Sequence, residues 1–165
     1  MLSQDELERR GPLWAALADL FLDTEMDASH YRAIRDAARS GGFDTAQVRT
    51  ILFDEVLPMF AFNAIDIAGE WAGFDPDWAA ARVGDYVAGK TVDGKLPPFT
   101  LGWIRRSILR CEWPRLDRIL AGEEIEQAMA AEPRPKPPSR SVFERFFWWI
   151  VLIPLAAVLI WSLMK

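Results

Sequence analysis

The strongest constraint in this sequence lies near its carboxyl end. From Phe146 to Met164 it reads FFWWIVLIPLAAVLIWSLM, 19 residues without a formal charge. At 1.5 Å rise per residue such a helix spans roughly 28 Å, close to the ~30 Å hydrocarbon core of a bilayer. A helix at the surface of a globular domain keeps a polar stripe, and this run has none. Trp148 and Trp149 stand near one end and Trp161 near the other, where interfacial aromatic belts belong. Pro154 sits mid-span, which lipid-embedded helices tolerate with a kink. Ser141 and Glu144 fit a capping box that opens the helix. The run is expected to be a transmembrane anchor.

The flanks set an orientation. Arg134, Lys136, Arg140 and Arg145 precede the span and only Lys165 follows it, so the excess of positive charge predicts that residues 1–145 are cytoplasmic. Residues 1–10 are polar and lack a secretory hydrophobic core, and the expected topology is tail-anchored, inserted after translation. Residues 132–140 alternate proline with charge, which favours an extended spacer over a helix. The expected organisation is thus an acidic domain over 1–131, a proline-rich linker over 132–140 and an anchor over 141–165.

The domain itself reads as helices. Alternating β-branched runs bounded by turn residues are absent, while capping signals are dense. Ser3 with Glu6 predicts a short first helix broken at Gly11-Pro12, and Pro12 then opens a second carrying Leu13, Trp14, Leu17, Leu20 and Phe21. Asp27 caps a helix with Tyr31 and Ile34 that stops at Gly41-Gly42. Asp44 with Gln47 forms a capping box for a helix ending near Pro58. Asn63 caps 64–71, and Asp75-Pro76-Asp77 opens a helix carrying Trp78, Val83, Tyr86 and Val87. Residues 91–98 read as a loop, Thr100 caps 101–111, and Pro114 begins a last helix through Met129. The fold expected is an all-α, compact multi-helix bundle of about seven helices.

Leu13-Trp14 through Ala18-Asp19-Leu20-Phe21-Leu22-Asp23-Thr24-Glu25, then Glu55-Val56-Leu57-Pro58 with Asn63, then Trp71-Ala72-Gly73-Phe74-Asp75 with Trp78, carry a resemblance. Over about residues 10–90 the chain resembles a family of small, uncharacterised bacterial α-helical domains. The resemblance implies a bacterial helical domain and carries no activity, cofactor or catalytic residue to transfer. The anchor is a departure from that pattern.

Candidate chemistry is sparse. A single cysteine, Cys111, rules out an internal disulfide, and a single histidine, His30, rules out paired-histidine metal motifs. No phosphate-binding loop, dinucleotide fingerprint or nucleophile elbow occurs. No catalytic residue and no cofactor are therefore expected. Asp19 with Asp23, and Asp66 with Glu70, stand four apart, and two such facing pairs can hold a hard divalent ion. These four are weak metal-ligand candidates, because acidic residues more often mark a solvated face.

Charge layout is more informative. Residues 1–131 carry 22 acidic and 14 basic residues, and residues 1–80 carry 15 against six. A basic and aromatic strip follows, with Trp103, Arg105, Arg106, Arg110, Trp113 and Arg115 as candidate partner-binding residues. It can meet anionic lipid or an acidic protein, while a domain of net −8 disfavours nucleic acid. The competing reading packs both tryptophans inward and pairs the arginines with the domain's own acids. The acidic half, for its part, is either a solubilising face or a dock for a basic protein partner. The function expected is a non-enzymatic, membrane-tethered protein-binding module, immunity-like or an adaptor, at the cytoplasmic face of a bacterial inner membrane. The alternatives are a membrane-anchored metal-dependent hydrolase using the carboxylate cluster, and an accessory subunit of a membrane complex.

Overall fold

Hydrogen bonds within four residues start the helices where the sequence places its caps. The structure, a computed structural model, describes residues 2–22, 26–61, 63, 73–90 and 98–131. The Ser3 hydroxyl accepts from the Glu6 backbone N–H and opens α1 (Gln4–Ala18). Asp27 accepts from the N–H groups of Ser29 and His30 at the start of α2 (Ala28–Ser40), which ends at Gly41-Gly42, where Gly42 takes φ +66°. Asp44 and Gln47 exchange both bonds of a capping box at the start of α3 (45–60). Asp75 accepts from Trp78 N–H at 2.8 Å and opens α4 (Pro76–Val87), with Pro76 in the first turn. Three further helices follow, α5 (Pro98–Cys111), α6 (Trp113–Leu120) and α7 (Ile125–Ala130). Among the described residues there are seven helices on this numbering and no strand.

Several boundaries differ from expectation. Helix α1 runs unbroken through Gly11-Pro12. Pro12 is exposed, and its missing N–H costs the helix one hydrogen bond. Gly11 faces α4, where a Cβ would come into ordinary contact with the Ala80 Cβ at 3.7 Å. Helix α3 likewise continues past Pro58. Its middle segment, Ile51–Val56, widens so that Leu57 N–H reaches back five residues to the Leu52 carbonyl. The wider turn lies directly before Pro58, whose ring would crowd the carbonyl four residues earlier in a regular helix. Helix α5 begins at Pro98 rather than at Thr100. The expected last helix is two, because Gly122 (φ +107°) closes α6 with bonds from Gly122 N–H to Ile119 and from Glu123 N–H to Arg118.

Helix α1 forms the centre of the domain and touches α2, α3 and α4. Its tightest partner is α4, where small residues let the backbones approach: a Cβ on Gly84 would meet the Trp14 ring at 3.6 Å. Helix α6 lies against α2, α5 and α7 on the other side. The fully buried side chains come from every layer: Trp14 and Leu17 from α1, Tyr31 and Ile34 from α2, Leu52 and Phe60 from α3, Leu116 and Ile119 from α6, and Ile125 from α7. The chain divides into two units, Met1–Glu132 and Pro133–Lys165, and the helices above all belong to the first. Among the described residues no helix is long and apolar enough to cross a membrane. The expected linker and anchor, with Phe146, Trp148, Trp149, Pro154 and Trp161, lie outside the described residues, as do the expected helix 64–71 and most of the loop 91–98.

Candidate functional site

The basic and aromatic strip divides in two when it folds. In α5, Ile104 and Ile108 are buried four residues apart and define the inward face. Trp103, Arg106 and Arg110 follow one another at spacings of three and four, so they share the opposite side of the helix, and all three are exposed. Trp103 keeps 44% of its surface in solvent. Helix α5 contains no acidic residue. Arg105, also exposed, lies at the flank of α5, with its guanidinium 4.8 Å from the centre of the Phe53 ring and 3.9 Å from Asp54 Oδ1.

Trp113 and Arg115 take the opposite course, which corrects their assignment to the docking surface. Trp113 is buried with its ring 6.1 Å from that of Phe53, and the Arg49 guanidinium lies 5.6 Å from the Trp113 ring. Arg49 and Arg105 thus stand at the two ends of the Trp113–Phe53 ring pair, an arrangement that fixes α6 against α3. Arg115, only 5% exposed, donates from Nη1 to the Tyr31 hydroxyl at 3.2 Å. Tyr31 in turn donates to Glu112 Oε2 at 2.6 Å. Burial, together with the hydrogen bond to Glu112, raises the Tyr31 pKa above its ordinary 10.0. These side chains join α2 to α6 and face the interior.

Of the four carboxylate candidates, Asp19 alone lies among the described residues. Asp19 stands at the end of α1, half-buried, and accepts a hydrogen bond from the Phe74 backbone. Desolvation raises its pKa above 3.8, partly offset by the nearby His30 and by that backbone bond. Asp23, Asp66 and Glu70 lie outside the described residues. No group of three or more His, Cys, Asp or Glu side chains suited to a metal occurs among the described residues. His30 is a capping residue: its Nδ1 accepts from the Asp27 backbone N–H at 3.3 Å. Hydrogen bonds from the Ser29 hydroxyl and from His30 N–H hold the Asp27 carboxyl well below the usual carboxylate range. Cys111 is half-buried at the end of α5.

Much of the acidic half is occupied by structural work of this kind. Asp27, Asp44 and Asp75 cap helices. Glu55 accepts from Trp14 Nε1 at 2.7 Å and from Arg10, while Arg10 also donates to Glu6 at 3.1 Å. That Arg10 bond, with Arg9 beside it, holds the Glu6 carboxyl below its usual range. The sequence reading did not find this network, since Arg10, Trp14 and Glu55 are brought together only where α1 meets the widened turn of α3.

A second feature also escaped that reading. Trp78, expected among the apolar residues of its helix, is 49% exposed. The buried stripe of α4 runs through Ala79 and Val83, one position away from it. Its ring stacks on Phe74 at 5.8 Å and meets Phe60 edge-on at 5.9 Å, while Phe60 and Phe74 lie 4.8 Å apart. Arg82, one turn further along, lies 5.5 Å from the Trp78 ring. The usable signal was the four-residue spacing of Ala79 and Val83, which turns Trp78 off the inward face.

Residues 8–119 match the model of a protein family described as a domain of unknown function (DUF7079). The match spans the helical domain from α1 nearly to the end of α6, further than the 10–90 stretch whose pattern carried the resemblance. No curated protein and no solved structure matches the chain.

Proposed function

The chain belongs to the DUF7079 family of domains of unknown function, and we propose that its helical domain is a protein-binding module. In this reading residues 146–164 tether it to the cytoplasmic face of a bacterial inner membrane. The observation that carries the binding is the exposed Trp78, backed by Phe74 and Phe60 and covered on one side by Arg82. Tryptophan and arginine supply most binding hot spots, because a rigid ring gains a large contact area at little entropic cost. A ring held in place by two others is preorganised for that role. The tether is supported by the length and uniform apolarity of its 19 residues.

The reading covers both forms of the function, an adaptor and an immunity-like protein, because the exposed Trp78 can anchor either partner and the capping carboxylates Asp27, Asp44 and Asp75 stay exposed. The test places a photo-crosslinking phenylalanine at position 78 of the full chain in intact cells. One discrete protein adduct is expected, reduced by Arg82→Ala, and none at the exposed control position Ala46. Equal adducts at 78 and 46, or none at 78, would overturn the binding role. Carbonate extraction of the same membranes tests the tether, which fails if the chain is released.

A further inference from the structure

The exposed face of α5 has the composition of a lipid-contacting surface, and we propose that it docks the domain on anionic lipid headgroups. This deepens the proposed membrane tether and rests on it. Trp103, Arg106 and Arg110 share one side of the helix, and the whole of α5 lacks an acidic residue. Residues 103 and 110 are seven apart, so the row is about 10 Å long. Tryptophan partitions to the headgroup level of a bilayer, and arginines on the same side meet lipid phosphates and anionic headgroups.

Charge decides the orientation. The domain carries net −8 over residues 1–131, so a negatively charged leaflet repels most of its surface. Arg106 and Arg110 make the α5 face an exception, and Arg105 and Arg49 stand exposed beside Phe53 and Trp113. A domain held near such a leaflet therefore lowers its energy by turning this face towards it. The chain supplies the proximity. Residues 131–145 separate the last helix from the apolar run, and an extended proline-rich segment of that length reaches no more than roughly 50 Å. Attraction between the α5 arginines and the leaflet acts over about one Debye length, ~8 Å at physiological salt, so the tether keeps the domain within range of repeated encounters. An acidic protein offers the same charge, but the proposed tether supplies the leaflet and supplies no such protein.

The test uses the full chain reconstituted in vesicles of phosphatidylcholine, with or without one-third phosphatidylserine. Gly102 is exposed and a Cβ there meets nothing within 4 Å, so Gly102→Cys accepts an environment-sensitive fluorophore, with Cys111→Ser removing the native thiol. The expected result is blue-shifted emission in anionic vesicles only, reversed by raised salt. Arg106→Gln with Arg110→Gln should lower the docked fraction by roughly tenfold or more, at about fivefold per arginine. A label at Ala46→Cys should not respond. Carbonate extraction of the same vesicles separates the two readings. A chain that is released overturns the tether and this proposal with it. A chain that stays inserted while the label at 102 reads alike in both vesicles overturns the docking alone. A response to added polyglutamate and not to anionic vesicles would also overturn it, in favour of an acidic protein.

Discussion

Trp103 and Trp113 lie ten residues apart in one arginine-rich stretch, and the fold sends them in opposite directions. Around Trp103, Arg106 and Arg110 are exposed on a helix without acids. Around Trp113 they are drawn into contacts: Arg49 covers its ring, and Arg115 sits on Tyr31 beside Glu112. The difference teaches that an arginine enters this interior only where a ring and a hydroxyl receive it. Residue type is shared by the two halves. The partners that decide their direction come from α2 and α3, far away in sequence.

Truncation should separate the halves most sharply. Trp113→Ala is expected to lower stability by about 3 kcal/mol, the usual cost of emptying a buried aromatic site, and Trp103→Ala by less than about 0.5 kcal/mol. Urea unfolding of the full chain in micelles measures both, and equal losses would erase the distinction. Arg115→Ala should cost about 2 kcal/mol, since it removes a buried side chain and its hydrogen bond to the buried Tyr31 hydroxyl. Arg110→Ala should be close to neutral in the same assay. Glu55→Gln should cost less, about 1–2 kcal/mol, by weakening the charged bond to Arg10 while keeping an acceptor for Trp14.

The smallest effect is a pH dependence that again contrasts an inward with an outward group. Asp19 has its folded pKa raised above 3.8 by burial. The folded state then holds its proton longer than the unfolded chain, so this residue makes stability fall as pH rises from about 3.8 through the folded value. Asp19→Asn should flatten that portion of the profile. Asp27, exposed at its cap, has its pKa lowered by Ser29 and His30. Its contribution is complete above 3.8 and is lost as pH falls below that value, so Asp27→Ala should act on the acid side. Thermal midpoints measured across pH 2–6 for both variants check the two signs.

Helix starts were legible because each depends on residues within four positions. Ser3, Asp27, the Asp44–Gln47 pair and Asp75-Pro76 all cap as read. Helix ends and interruptions were less so. Gly11-Pro12 and Pro58 are breakers in isolation, yet α1 and α3 pass through them, supported by packing against α4 and by a widened turn. Gly122 stops a helix that the apolar pattern continues. The site shows the same limit. Trp103, Arg105, Arg106 and Arg110 are exposed, and the spacing of Ala79 and Val83 turns Trp78 outward as well, whereas the Phe60 ring that meets Trp78 comes from α3 and has no local signal.

The sequence by itself determined the helical class, the starts of α1 to α4, the acidic balance and the uninterrupted apolar run, all of which follow from composition, periodicity and hydrogen bonds between near neighbours. Only the tertiary structure decided which arginines and tryptophans turn inward, since that choice belongs to Tyr31 and Phe53, which meet Arg115 and Trp113 from other helices. Side-chain chemistry sets what a residue can bind, and packing between distant segments sets whether it is left facing outward to do so.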